Sequence, residues 1–372
     1  MRTRGDCGKN CLDCVLFRNY CLGCITRICL VAKCKRGTSH VGITYPKEFC
    51  RLREYCRTVT HSLPHYVAEV APNPKARSDV SLPRFVPVVS LTDERTWFWH
   101  EIQHAWIIAR MAELVKNKSL AWKVSSQGLH DFLGFEGKIL LSTVMEDELL
   151  DKLTLKDYAE IVAAARPDAT MTPDVYTYLD DPLCLSWQQT IKSANLAKAF
   201  SGFDVPVVGL VKGAIGKQVA WSTQNIVALG YQTAALPCRE LVRLDLLDGM
   251  LMGIVGILRK RIREPRLLLY GLSYPLGKYQ RELSYSGFSW FINAKRGLYQ
   301  KQGNVCFLTD TTVRFEECGC VACKGKIALD LREDVKTLAL HNPSADNWEA
   351  RVDGIGKAGV PIRRQIRTWW TS

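Results

Sequence analysis

From residue 84 onward, short apolar runs alternate with longer segments whose apolar positions recur at helical spacing. PRFVPVVSL (83–91) precedes WFWHEIQHAWIIARMAELVK (97–116), which reads as one amphipathic helix. KILLST (138–143) precedes LTLKDYAEIVAAAR (153–166), and PDVYTYLD (173–180) precedes LSWQQTIKSANLAKAF (185–200). VPVVGLV (205–211) precedes GKQVAWSTQNIVALG (216–230), and RLLLYGL (266–272) and FSWFIN (288–293) continue the series of short apolar runs. Short runs of this kind suit strands covered on both faces, as in a parallel sheet. Repeated strand–helix units predict an α/β fold, either a (β/α)8 TIM barrel or a doubly wound sheet. The strand-to-helix turns lack a glycine-rich dinucleotide fingerprint, which favours the barrel. Its active residues are then expected just after the C-terminal ends of strands.

Composition adds organisation. HSLPHYVAEVAPNPKARSDVSLP (61–83) is rich in proline and polar residues and reads as a linker or extended wrap between a module at 1–60 and the barrel. The net charge of +13 favours a polyanionic partner, because neutralising phosphates releases condensed counterions. From Arg2 to Arg57, twelve Lys or Arg stand against Asp6, Asp13, Glu48 and Glu54, so this module carries over half of that charge. A second basic run, Arg259, Lys260, Arg261, Arg263 and Arg266, follows an apolar helical stretch. A third, Arg363, Arg364 and Arg367, lies beside Trp369 and Trp370 in the tail at 343–372. Guanidinium groups next to aromatic rings suit stacking on unpaired bases, while each run alone also fits a solvated helix face. No apolar stretch is long enough to span a bilayer, and no signal-peptide pattern follows the basic N-terminus. A cytoplasmic location with no membrane partner is expected.

Fifteen cysteines in a reducing compartment point to metal rather than disulfides. Cys318, Cys320 and Cys323 offer three thiolates within six residues, and His341 returns after a helix-length segment. Such a Cys3His set closes a tetrahedron around Zn2+ with no vacant position, so the zinc is expected to be structural. Cys7, Cys11, Cys14, Cys21, Cys24, Cys29 and Cys34 form a second cluster, dense enough for one or two Zn2+ ions or an iron–sulfur cluster. Twelve basic residues around it suit a metal-stabilised nucleic-acid clamp; a structural staple for a short segment fits equally. CGKNCLDC also has the C-x3-C-x2-C spacing of radical-SAM enzymes, although it lies outside the barrel region. His100 and His104 in HEIQH match the zinc-protease pattern literally, but three flanking tryptophans suggest a packed helix instead.

Cys-x-Cys-x-x-Cys followed at a distance by His-Asn (341–342) resembles the zinc subdomain of the tRNA-guanine transglycosylases. SQGLHDFLGFEGKILLS (126–142), PDVYTYLDDP (173–182), VPVVGLVKGAIG (205–216), LGYQTAALP (229–237) and FINAKRG (291–297) resemble other segments of that family in the same order. The resemblance spans roughly 84–342. It implies a TIM barrel with a zinc subdomain at 306–342, and exchange of guanine for a 7-deazaguanine base in DNA or tRNA. Asp180 matches a base-binding aspartate, with Asp181 beside it. Lys212 replaces the glutamine before Gly213 in the turn that touches the nucleobase. Lys295 and Arg296 fall near the nucleic-acid backbone, and Arg259, Lys260 and Arg261 extend the basic surface.

The departures are chemical. Ser142 stands where the family has its first catalytic-loop aspartate, and Ser286 falls at the nucleophile's position, with Glu282 the nearest acid upstream. An ionised carboxylate can attack a sugar carbon and leave again, whereas a serine needs a base and forms a poor leaving group. Two expectations follow: a base-exchange pentosyltransferase using another carboxylate, or a catalytically degenerate nucleic-acid-binding subunit completed by a homodimer or heterodimer partner.

Overall fold

The computed structural model describes residues 80–100, 104–178, 183–239, 241, 247–272, 279, 281–301 and 304–307. The N-terminal cysteines, the metal set Cys318, Cys320, Cys323 and His341, the pair Asp180 and Asp181, and the basic tail lie outside them. Among the described residues no helix is long and apolar enough to cross a membrane.

Eight parallel strands form one sheet: β1 (Phe85–Pro87), β2 (Trp106–Arg110), β3 (Lys138–Ser142), β4 (Ala169–Met171), β5 (Val207–Leu210), β6 (Thr233–Pro237), β7 (Arg266–Tyr270) and β8 (Leu283–Gly287). Each strand from β2 pairs with its successor, and β8 pairs with β1. The ring closes where Val88 bridges Ile108 and the Val89 N–H donates to the Ile108 carbonyl at 2.9 Å. Around it run α1 (Met111–Lys116), α2 (Lys118–Leu133), α3 (Asp147–Leu150), α4 (Leu155–Ala165), α5 (Leu183–Phe200), α6 (Gly216–Ala228), α7 (Leu247–Arg261) and α8 (Ser289–Lys295). This is the expected (β/α)8 barrel. After α8 an antiparallel pair, β9 (Leu298–Lys301) and β10 (Asn304–Phe307), enters the region where the zinc subdomain is expected.

Alternation along the strands divides the apolar residues into two cores. Val86, Ile108, Leu140, Met171, Val208 and Leu268 fill the lumen. Val80 and Leu82 join that cluster, and the Val80 carbonyl accepts from Thr233 Oγ1 at 3.0 Å, so the segment entering β1 packs into the lumen core. Ile107, Ile139, Leu141, Val207, Leu236 and Leu269 point outward under the helices. Close strand–helix approach leaves no room at Gly209, where an added Cβ would stand 2.4 Å from Ile226 Cγ2. Ile226 is β-branched and stiff, so Gly209→Ala should destabilise by about 1–3 kcal/mol. Ile226→Val, which keeps a branched methyl against Gly209, should restore little, whereas Ile226→Ala should restore part of the loss in urea unfolding.

Helix ends are set locally. Thr154 and Asp157 form a reciprocal capping box before α4, with Thr154 N–H donating to Asp157 Oδ2 at 2.7 Å. Asn117 accepts the Leu120 N–H at 3.0 Å to open α2, and Gly134 in the left-handed region closes it.

Three local expectations are corrected. Residues 97–116 are not one helix: short 3-10 turns (Glu94–Thr96, Phe98–His100) lead to strand β2, and only Met111–Lys116 is helical at this end. WIIAR is apolar and largely buried, and such a run carries no helical stripe. The strand expected in PDVYTYLD is instead Ala169–Met171, and residues 172–178 leave the sheet as a loop. FSWFIN contributes to helix α8, while the strand before it is LSYSG.

Candidate active site

The C-terminal ends of the strands gather most of the polar groups that the lumen core lacks. β4 ends three residues before Asp174 and β5 ends two before Lys212, so these adjacent strands bring the two side chains together. Lys212 Nζ lies 2.8 Å from Asp174 Oδ1; the Asp174 side chain is buried and that of Lys212 is largely covered. Asp174 Oδ1 also accepts from the Val175 N–H at 2.8 Å.

The turn that carries Lys212 is fixed from below. The Lys212 N–H donates to Ser222 Oγ at 3.0 Å. Gln218, on the first turn of α6, accepts from the Ala214 N–H at 2.7 Å and donates to Ser186 Oγ at 2.8 Å. Gly213 adopts φ 154°, and a Cβ there would meet Gln218 Cβ and the Val219 nitrogen, both at 2.7 Å. Glycine is required because the turn lies directly on the helix start.

A second charged pair lies at the end of β2. Arg110 Nε donates to Glu113 Oε1 at 2.7 Å, and Arg110 Nη2 donates to the same oxygen. Glu113 Oε2 accepts from the Leu91 N–H at 2.7 Å and Ser90 Oγ at 3.0 Å, tying the loop after β1 to α1. Arg110 also lies 5.3 Å from the centroid of the Phe288 ring, just beyond β8.

Tyr270, the last residue of β7, packs against the lumen core, near the mouth formed by the strand ends. Burial pushes the phenol's pKa up, Ser142 and Arg110 oppose that, and Asp174 and Glu113 add to it. Tyr176 and Tyr178 stack at 6.0 Å in the loop beyond Asp174, and the Tyr178 hydroxyl bonds Asp147 on α3.

The residues singled out in the sequence distribute unevenly. Lys212 and Gly213 line the mouth. Ser286 is fully buried on β8, and its hydroxyl reaches only the Leu269 carbonyl at a long 3.5 Å. Lys295 and Arg296 are exposed at the end of α8, where Lys295 lies 5.7 Å from the Phe291 ring and its charge helps lower the Asp93 pKa, after that of Arg95. Arg259, Lys260 and Arg261 close α7 just before the start of β7, on the face opposite the mouth. Arg259 donates there to Glu282 at 2.8 Å. His100 is exposed in a 3-10 turn, and His104 bonds the Trp106 carbonyl at 2.8 Å, so they share no helix. Burial lowers the His104 pKa. Among the described residues, no group of three or more His, Cys, Asp or Glu could hold a metal ion.

Sequence reading missed Asp174, Arg110, Glu113 and Tyr270. The signal for Asp174 lay in ATMTPD, where a short buried run precedes a carboxylate by a strand-end distance. No protein-family model matches the chain, and neither does any curated protein.

Proposed function

We propose that the protein is a transglycosylase-type barrel that exchanges guanine for a 7-deazaguanine base in nucleic acid. The observation that carries this reading is the buried Asp174–Lys212 pair beside Gly213, at the C-terminal ends of neighbouring barrel strands. A carboxylate beside an ammonium group complements the guanine edge: Asp174 accepts from the ring N–H and amino groups, and Lys212 donates to the carbonyl oxygen. Exposed Arg95 and Lys295, both against the Phe291 ring, and exposed Arg296 supply positive charge for a phosphate backbone. Asp174 thereby takes the base-binding role expected of Asp180. A structural zinc at Cys318, Cys320, Cys323 and His341 belongs to the same reading and adds no step to the chemistry.

A second reading, a binding subunit without exchange activity, is favoured by Ser142 and Ser286, fully buried serines at the two positions where the family's reaction uses carboxylates. Incubating the full chain with labelled guanine and either tRNA or duplex DNA separates the two. Exchange predicts label incorporation that disappears in Asp174→Asn while circular dichroism stays unchanged. Salt-dependent nucleic-acid binding with no incorporation establishes the second reading and removes the first.

A further inference from the structure

We infer that a basic rim on the face opposite the mouth is a second nucleic-acid contact, a phosphate-backbone site for a double helix. The barrel topology assembles it from three separate stretches of chain. Arg84 stands one residue before β1, Arg266 opens β7, and Arg281 lies two residues before β8. β7, β8 and β1 are consecutive in the ring, so these three starts lie side by side. Hydrogen bonds fix that edge: the Arg84 carbonyl accepts from the Tyr285 N–H at 2.7 Å, and Arg266 Nη1 donates to the Arg281 carbonyl at 2.7 Å. α7 brings Arg259, Lys260 and Arg261 to the same edge as it leads into β7, with Arg263 in the connection between them.

Charge and side-chain type favour a phosphate ligand. Over residues 84, 259–266 and 281–282, six arginines and one lysine stand against Glu264 and Glu282. Glu282 is already engaged, since Arg259 reaches its Oε1 from Nε at 2.8 Å and from Nη2 at 2.6 Å. Among the described residues, no carboxylate pairs with Arg84, Lys260, Arg261, Arg263 or Arg281, and all five are exposed. Such a cluster repels itself until a polyanion neutralises it. Guanidinium forks also suit phosphate oxygens, which they bind through two parallel hydrogen bonds. The charge is one-sided: across the same face, Asp168 and Asp204 precede β4 and β5. A surface charged for solubility alone intersperses both signs.

Neighbouring strands lie about 4.8 Å apart, so the starts of β7 and β1 are separated by roughly 10 Å, and α7 lengthens the arc. A double helix carries one charge per ~1.7 Å of its axis, so this span meets several phosphates at once. The large hydrophobic side chains exposed among the described residues are Trp122, Leu155, Met252 and Ile292, and none belongs to these stretches. Lacking an apolar anchor, the rim suits a nucleic-acid backbone better than a membrane surface. Tyr279, the ring at this edge, already carries the Arg259 guanidinium 5.5 Å from its centroid, so paired strands fit better than unpaired bases seeking a stacking platform. The mouth lies at the other ends of the strands, and a straight helix docked on the rim does not enter it. The rim therefore holds nucleic acid at a second place, whichever reaction the mouth performs.

The test measures binding of the full chain to a labelled random-sequence DNA duplex by fluorescence anisotropy over a range of salt concentrations. Combining Lys260→Gln, Arg261→Gln, Arg263→Gln and Arg281→Gln should flatten the slope of log K against log salt by about 3 to 4 and weaken binding at least about tenfold at low salt. A charge-matched control, Lys123→Gln, Lys152→Gln, Lys192→Gln and Lys198→Gln, removes as many exposed charges elsewhere and should keep the wild-type slope. In the wild type the duplex should shield Arg261, Arg263 and Arg281 from butanedione, read by peptide mass. Equal slopes in the two variants, or no shielding, overturn the inference. So does binding to phosphatidylserine vesicles, lost in the rim variant, with no binding to the duplex. Asp174→Asn leaves the rim intact and should keep its share of the binding, so failure of the exchange reading and failure of this inference are read separately. Should the rim variant fail to fold, the shielding in the wild type decides alone.

Discussion

Replacing Lys212 by Met should destabilise the protein by about 3–5 kcal/mol, because it leaves the Asp174 carboxylate buried without its cation. The side chains are 11% and 5% exposed, so water cannot take the place of the missing ammonium group. The Val175 N–H, at 2.8 Å, is the one other donor to that carboxylate that the structure records, and a single neutral donor does not offset a lost charge. Urea unfolding should show the midpoint falling with little change in slope. The double variant Lys212→Met, Asp174→Asn should recover most of the loss, since the amide oxygen still accepts from Val175 and no charge remains buried. A deficit that persists in the double variant would mean that Lys212 acts through packing of its stem instead. The pair thus costs stability that an apolar pair would not, which suits groups kept for recognition rather than for folding.

The barrel was legible because its two periodicities are strong. Segments such as VPVVGLV and GKQVAWSTQNIVALG carry opposite patterns side by side, and β5 and α6 form within them. The pattern was uninformative where every position is apolar or every residue small. WIIAR reads equally as strand or helix, and Phe98, Trp99 and His104 pack in one aromatic cluster without a common helix. ATM is too short to announce β4, which moved the expected strand forward. Lys212 and Gly213 were picked out only by the resemblance of VKGAIG to a family turn, and the structure adds why a glycine stands there, at φ of 154°. Tyr270 and Arg110 were not. Each is the final residue of an apolar strand, and only the closure of eight strands into a ring brings them to one mouth.

Trp290→Ala should cost about 3–5 kcal/mol, the range for deleting a fully buried aromatic side chain. Trp290 lies under the β1–β8 seam with its indole N–H donating to the Val88 carbonyl at 3.1 Å. Its ring meets Phe98 edge-on at 5.3 Å and Phe288 at 6.3 Å. Truncation therefore opens a cavity, orphans a buried carbonyl where β1 meets β2, and removes the support of Phe288. Phe288 in turn carries the Arg110 guanidinium, so the loss should reach the mouth as well as the fold. Trp290→Phe keeps most of the volume and loses only the hydrogen bond, and it should cost about 1–3 kcal/mol. Trp122→Ala is the control: at 72% exposure its loss should stay within about 0.5 kcal/mol. Unfolding midpoints of the three variants should rank in that order. A Trp290→Ala protein as stable as Trp122→Ala would show that the seam between β1 and β8 is not closed around this indole.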